Sequence, residues 1–299
     1  MSFSSITAML TEARKTGKQL YEVICEDDRH ENGTTSDEQY AQMELLWEAM
    51  ESSSRQYRAS DRSRSGLSGG DAAKIHAAAQ DGKLLGDGYF LQVIEEALKI
   101  AECNACMKRI VAAPTAGSCG VLPAVLIPLV KEREIPREKI YEALFIAAGF
   151  GQVTAERASI AGAEGGCQAE IGAASAMAAA SLTHILGGSA EQCADAFAMA
   201  LGNLLGLVCD PVAGLVEIPC IKRNVVGAVN AIGAANMALA GIQSRIPADE
   251  VLDAMAEIGS ALPASLRETG LGGLAATPTG QRIAKALQMT PGEKEGERR

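Results

Sequence analysis

Apolar and polar positions alternate along most of the chain at helical spacing, which predicts a mainly α fold. Residues 3 to 19 and 37 to 58 read as amphipathic helices of mixed charge, separated by the polar stretch 27 to 36, which reads as a loop. They form an N-terminal helical arm over residues 1 to 60. Asp71 is placed to cap a helix running to about residue 83, its free amides facing an anion. A longer helix spans 87 to 109. A glycine loop at 114 to 120 then opens an apolar helix. Four further segments, 137 to 157, 168 to 186, 190 to 207 and 221 to 241, carry Ala, Leu, Ile, Val and Gly on every face, the signature of helices buried on all sides. A last amphipathic helix covers 248 to 260. Residues 61 to 288 are therefore expected to be one large domain of buried apolar helices, with glycine-rich loops building a site. The charged stretch 289 to 299 is expected to be a disordered tail.

Composition sharpens this picture. Hydrophobic residues make up 47% of the chain but aromatics only 4%, with 31 glycines, so helices must meet through small side chains. The net charge of -10 argues against nucleic acid or an anionic membrane as partner, since both require a basic surface. The apolar run 121 to 130 is far shorter than the roughly 20 residues of a bilayer span. The first 20 residues lack the basic head and apolar core of an export signal, so a cytoplasmic, reducing compartment is expected. Eight cysteines there are not a disulfide framework; each is a core filler, a nucleophile or a metal ligand.

Three of the eight stand at backbone breaks. In Glu164-Gly165-Gly166-Cys167-Gln168-Ala169-Glu170 two glycines precede a helical pattern, leaving Cys167 in a first turn. Cys220 follows Pro219 at another helix start, with Lys222 and Arg223 nearby, and Cys209 precedes Asp210-Pro211 in a turn after a helix ending near residue 208. Helix starts and nearby cations lower a thiol pKa and suit it to bind metal. Without a histidine beside them, three thiolates suit an iron-sulfur centre lacking a fourth protein ligand better than catalytic zinc. Buried small residues are the plain alternative. Cys103 and Cys106 form a C-x-x-C inside a helical pattern and read as packing, as do Cys25 and Cys193; Cys119 lies in the loop of Thr115.

The runs from Ala155 to Cys167 and from Cys209-Asp210-Pro211-Val212 to Glu217-Ile218-Pro219-Cys220 resemble the cluster motifs of the iron-sulfur L-serine dehydratases. Similar too are Ser65-Gly66-Leu67-Ser68-Gly69-Gly70-Asp71, Ala113-Pro114-Thr115-Ala116-Gly117-Ser118-Cys119-Gly120 and Arg267-Glu268-Thr269-Gly270-Leu271-Gly272-Gly273. The resemblance covers about residues 60 to 285. It implies deamination of L-serine to pyruvate and ammonia with a 4Fe-4S cluster on Cys167, Cys209 and Cys220. One iron would stay open to substrate, and no pyridoxal phosphate would be used. A serine substrate needs anion donors beside the cluster, and because backbone amides at helix starts bind anions, Ser65, Gly66, Ser68, Gly69 and Gly70 and Thr115, Ala116 and Gly117 are expected as its carboxylate and hydroxyl contacts, with plain helix capping as the alternative. Single-chain members carry a further Ser-Ser-Ser-His-Thr domain and a C-terminal cysteine; this chain has neither, so it resembles the alpha chain of the two-chain type. A separate beta chain and an oligomer are expected.

Arg157, Lys222, Arg223 and Arg267 could clamp a carboxylate or offset the cluster's charge. The general base has no clear candidate among His30, His76 and His184. Lys74 is the nearest approach to the Schiff-base lysine that a pyridoxal phosphate dehydratase would need, and a redox-sensing iron-sulfur protein is the non-enzymatic rival.

Overall fold

Residues 173 to 183 are buried without exception, on a helix whose side chains are mostly Ala, Ser and Met, and the rest of the molecule is assembled round it. The computed structural model describes residues 2 to 86 and 88 to 288. Within these the regular structure is helical apart from one isolated parallel bridge between Cys209 and Arg267. The order begins α1 (Ile6–Thr16), α2 (Leu20–Asn32), α3 (Ser36–Arg55), α4 (Asp71–Gln80), α5 (Gly88–Ala105), α6 (Val121–Arg133) and α7 (Arg137–Arg157). It continues with α8 (Gly162–Gly165), α9 (Ala173–Ile185), α10 (Ala190–Gly202), α11 (Cys220–Leu239), α12 (Ala248–Ala261) and α13 (Pro278–Gln288).

The central helix α9 packs chiefly against α7, α10 and α11. Small residues make this possible. A Cβ on Gly227 would come 3.0 Å from Val121 and 3.1 Å from Ile171, and one on Gly151 would come 2.9 Å from Met177. Buried hydroxyls find acceptors across these seams: Ser175 Oγ donates to the Gly227 carbonyl at 2.7 Å and Ser181 Oγ to that of Ala143 at 2.7 Å. Ser175 meets Gly227 in the first half of both helices, and just past the end of α9 a Cβ on Gly188 would come 3.1 Å from Leu239, the last residue of α11, so the two helices run parallel and begin at the same end. That parallel pairing sets the site.

Helices α1 to α3 feed the same core. Ile6, Met9, Ile24 and Trp47 belong to one continuous buried cluster with Phe150 and Phe197. The first amides of α1, Ile6 and Thr7, donate to the buried Asp249 carboxylate of α12 at 2.8 and 2.9 Å, which ties the two chain ends together.

Several predicted boundaries move. The stretch 27 to 36 is not a loop throughout: α2 starts at a Gln19–Glu22 capping box and continues through residue 32, where Gly33, at φ 64, ends it. Its last turns are polar because they are solvated, while Leu20, Val23 and Ile24 are buried. Asp71 does not cap α4; Gly70, at φ 86, occupies the cap and Asp71 is the first helical residue. The helix expected over 190 to 207 stops at Gly202, and the one expected from 168 opens with a π turn, Gln168–Gly172, before α9 proper. The segment 278 to 288, unassigned from the sequence, is helical. Position 87 and the expected tail 289 to 299 fall outside the described residues. Among those residues, no helix is long and apolar enough to cross a membrane.

At the far end of α9, His184 lies mostly buried, its Nε2 3.1 Å from Glu142 Oε2 and its ring 5.6 Å from that of Tyr21. Burial holds its pKa below the usual value, with the Glu142 bond opposing. The unfolded chain therefore takes up this proton more readily, and stability falls as pH drops through about 6.5. Chemical denaturation at pH 7.5 and 5.5 should show that loss, and His184→Gln should reduce the difference between the two.

Candidate active site

Cys167 and Cys220 are set by the two helices that start side by side. Gly166, at φ 76, turns the chain out of α8, and a Cβ there would strike Leu262 at 2.7 Å; Cys167 follows as the cap of the π turn. A π turn at such a point re-aims side chains that a regular helix would place elsewhere. Cys220 is the first residue of α11. Cys209 is not in a turn, as its neighbours Asp210 and Pro211 suggest, but in extended backbone. Its amide donates to the Leu266 carbonyl at 2.9 Å and its carbonyl accepts from Glu268 at 2.8 Å. All three thiols are buried, and each lies within electrostatic reach of the others: Cys167 opposes ionisation of both Cys209 and Cys220.

The thiols are not activated by the helix starts. Burial pushes Cys167 up to about 11, against the favourable Arg223 charge and with Glu170 adding to the rise. Burial, with Cys167 and Glu170, pushes Cys220 up to about 12, and Cys209 is raised by burial, Cys167 and Glu170. The expected lowering is overturned because desolvation of a thiolate outweighs one or two amide dipoles. Burial thus keeps Cys167 and Cys220 as neutral thiols near neutral pH.

Each cysteine-bearing segment also carries a carboxylate bound to a glycine loop. Glu170, in the π turn, accepts from Thr115 Oγ1 at 2.8 Å and lies 3.9 Å from Cys209 Sγ. Burial raises its pKa, and the Thr115 bond works the other way. Glu217, buried between Cys209 and Cys220, accepts from Ser63 Oγ at 2.7 Å and Ser65 Oγ at 2.8 Å. Asn224, one turn into α11, accepts from the Gly120 amide at 2.8 Å and donates to the carbonyls of Gly117 and Cys220 at 2.8 and 2.9 Å. The loops of Ser65 and Thr115 are thus fastened to the cysteine segments.

The amides of the 65 to 70 loop are largely committed. Gly66 donates to the Ser63 carbonyl, Leu67 to Ser65 Oγ, Ser68 to Ser63 Oγ and Gly70 to Glu102. The anion expected at the start of α4 is the chain's own buried Glu102, which also takes the Asp71 amide at 2.7 Å. Gly69 is pressed on backbone, with Asp61 O only 2.2 Å from an added Cβ.

The four candidate cations separate. Arg157 pairs with Asp253, and Lys222, mostly exposed, approaches Asp71 at 3.8 Å. Arg223 belongs to the site: its charge favours the Cys167 thiolate, and it donates to the Val208 carbonyl at 2.7 Å and pairs with Asp210 at 2.9 Å. Arg267, paired through its backbone with Cys209, has a buried Nε without an acceptor. Asp210 in turn takes the Leu274 amide at 2.7 Å, and Gly273, at φ 57, is required because a Cβ would lie 2.3 Å from that carboxylate. The histidines are elsewhere: His76 pairs with the Glu95 carboxylate and His184 with that of Glu142. Open clefts of about 510 Å³ beside Tyr89 and about 490 Å³ beside His76 contain none of the cysteines.

Glu170, Glu217 and Asn224 were not singled out in the sequence. The available signal is a charged or amide residue within four residues of a cysteine, at Glu170 and Glu217 inside otherwise mostly apolar stretches.

Among known families, the one described as serine dehydratase alpha chain matches residues 15 to 275. The chain is 46% identical over 285 residues to the probable L-serine dehydratase, alpha chain, of Bacillus subtilis (strain 168), covering 95% of both chains. It is 58% identical over 199 residues to the protein of the same name in Latilactobacillus sakei, covering 67% of this chain and 94% of that one. To the L-serine dehydratase, alpha chain, of Peptoniphilus asaccharolyticus it is 42% identical over 270 residues, covering 90% of this chain and 92% of that one.

Removing the Glu217 carboxylate strips the acceptor from two serine hydroxyls. Glu217→Ala should lower the unfolding free energy by about 1–3 kcal/mol and speed amide hydrogen exchange across residues 64 to 69. Unchanged exchange in that loop would show that something else holds it.

Proposed function

The chain belongs to the serine dehydratase alpha-chain family, and from that premise we propose that it is the catalytic subunit of an iron-sulfur L-serine dehydratase, releasing pyruvate and ammonia. The observation that carries the reading is that Cys167, Cys209 and Cys220 are all buried within electrostatic reach of one another, with the Arg223 guanidinium acting on Cys167 and Cys220.

The donor set suits a cluster rather than a single ion. Among the described residues, no three His, Cys, Asp or Glu side chains are placed to hold one metal ion. A four-iron cluster presents separate irons to separate thiolates, which need not converge on a point. Arg223 offsets part of the negative charge that Cys167 and Cys220 would carry as thiolates, and the unpaired Arg267 Nε–H belongs to the residue bridged to Cys209. When bound, a 4Fe-4S cluster with one iron free of protein ligands supplies the Lewis acid that lets the substrate hydroxyl leave as water.

The chain's own part is to bind and orient. In this reading Thr115, Ala116 and Gly117 contact the substrate from the helical turn that Glu170 and Asn224 hold in place. Ser65, Gly66, Ser68, Gly69 and Gly70 form a second wall of fixed shape, since Glu217 and Glu102 absorb its hydroxyls and amides. Burial keeps water from the thiols. A separate beta chain completes the enzyme: the relatives covered over 92 to 95% of their length are each named as an alpha chain. With both histidine–carboxylate pairs away from the cysteines, that partner is the proposed source of the missing base.

Protein reconstituted without oxygen, together with its beta chain, should form pyruvate from L-serine. Cys167→Ala, Cys209→Ala and Cys220→Ala should each lose bound iron and acid-labile sulfide as well as pyruvate formation. Full iron and sulfide in any of the three would remove that cysteine from the proposed set.

A further inference from the structure

A β-hydroxy-α-amino acid brings both a carboxylate and an ammonium, and the ammonium needs an acceptor beside the three thiols. Four carboxylates lie near enough to compare. Asp210 is spent on Arg223 and the Leu274 amide. Glu217 is buried with both oxygens taken by serine hydroxyls. Glu268 is on an exposed loop, where solvent screens its charge.

Glu170 differs from all three. It lies within electrostatic reach of Cys167, Cys209 and Cys220. Its Oε1 accepts one hydrogen bond, from Thr115, while Oε2 has only the weak Cys209 thiol at 3.9 Å. The side chain is half-buried, not sealed. Two glycines flank it: a Cβ on Gly117 would stand 3.2 Å from Oε1, and one on Gly162 2.9 Å from Oε2, so side chains there would crowd the carboxylate. A carboxylate with open lone pairs, glycine walls and a threonine holding its rotamer is built to receive a compact cation with several N–H donors.

We infer that Glu170 is the acceptor for the substrate's α-ammonium, and that it selects α-amino acids over α-hydroxy acids of the same skeleton. The inference rests on the dehydratase reading above. Thr115 acts through Glu170 as a positioning residue, which gives the loop of residues 115 to 117 a second task besides any direct contact with substrate.

The test compares L-serine with L-glycerate, which carries a hydroxyl in place of the ammonium, on anaerobically reconstituted protein with its beta chain. Glu170→Gln keeps the shape and the Thr115 contact but removes the charge. It should raise KM for L-serine about 10- to 100-fold, as expected for a lost hydrogen bond to a charged group. The dissociation constant of L-glycerate, read by equilibrium dialysis, should stay within about threefold of wild type, because no charged bond is lost with that ligand. Glu170→Asp should recover part of the L-serine affinity, and Glu268→Gln should leave both ligands near wild type.

Equal weakening of both ligands by Glu170→Gln, or a fall in kcat at unchanged KM, overturns the assignment. Iron content and thermal melting of each variant identify loss of cluster or fold; if Glu170→Gln fails on either count, the Glu170→Asp split between the two ligands decides. A wild-type preparation that makes no pyruvate from L-serine refutes the dehydratase reading itself, and is separable from the variants' result.

Discussion

The parallel contact between α9 and α11 is the constraint on which the rest of the molecule turns. Two helices that begin at the same end bring their starts together, and here those starts carry thiols: Cys167 caps the π turn that leads into α9, and Cys220 opens α11. The contact holds only while its seam is thin: Gly227 against Val121 and Ile171 leaves no room for another carbon, and Ser175 bonds across it. An interior rich in alanine and poor in aromatics is therefore what lets helix ends converge tightly enough to build a site. The same economy reaches outward to α1, whose amides close on Asp249 of α12.

Charge inside such a core has to be answered atom by atom. Glu102, Glu217 and Asp210 each meet donors from a neighbouring loop, so the buried carboxylates serve as fasteners between segments distant in sequence. Arg223 does the same in the opposite sign, spanning a carbonyl and a carboxylate. The net effect is a rigid frame in which most buried charges are answered, while Arg267 keeps a buried Nε–H without an acceptor and Glu170 an oxygen met only by a weak thiol donor, both next to Cys209.

Much of the fold could be read directly from residue order, and the reasons are local. Helix α7 was placed at its observed bounds because Pro136 and Arg157 mark its ends, and the all-apolar faces of α9, α10 and α11 announced burial. What escaped notice has long-range causes. The polar end of α2 resembles a loop unless one knows that Leu20 and Ile24 dock in the core. The π turn before α9 leaves no composition signature, and the capping of α4 by Gly70 depends on Glu102, thirty-one residues away from Asp71. The cysteines stood out because glycine and proline break the chain beside them, yet the direction of their pKa shifts did not, since burial is a property of the folded whole. Glu170 and Glu217 were overlooked for a related reason: their partners, Thr115 and Ser63, lie 55 and 154 positions off.

The segment from Cys209 to Cys220 ends in a thiol at each side and holds Glu217 within. Were both sulfurs anchored to one inorganic body, the segment would become a closed ring, with an entropic advantage comparable to a short disulfide loop, about 3 kcal/mol. Glu217 rides on that ring and grips Ser63 and Ser65 on another part of the chain. Air that dissolved the inorganic body would then do more than erase a reactive centre: it would open the ring, slacken the hand that holds the serine loop, and turn a chemical injury into a mechanical one.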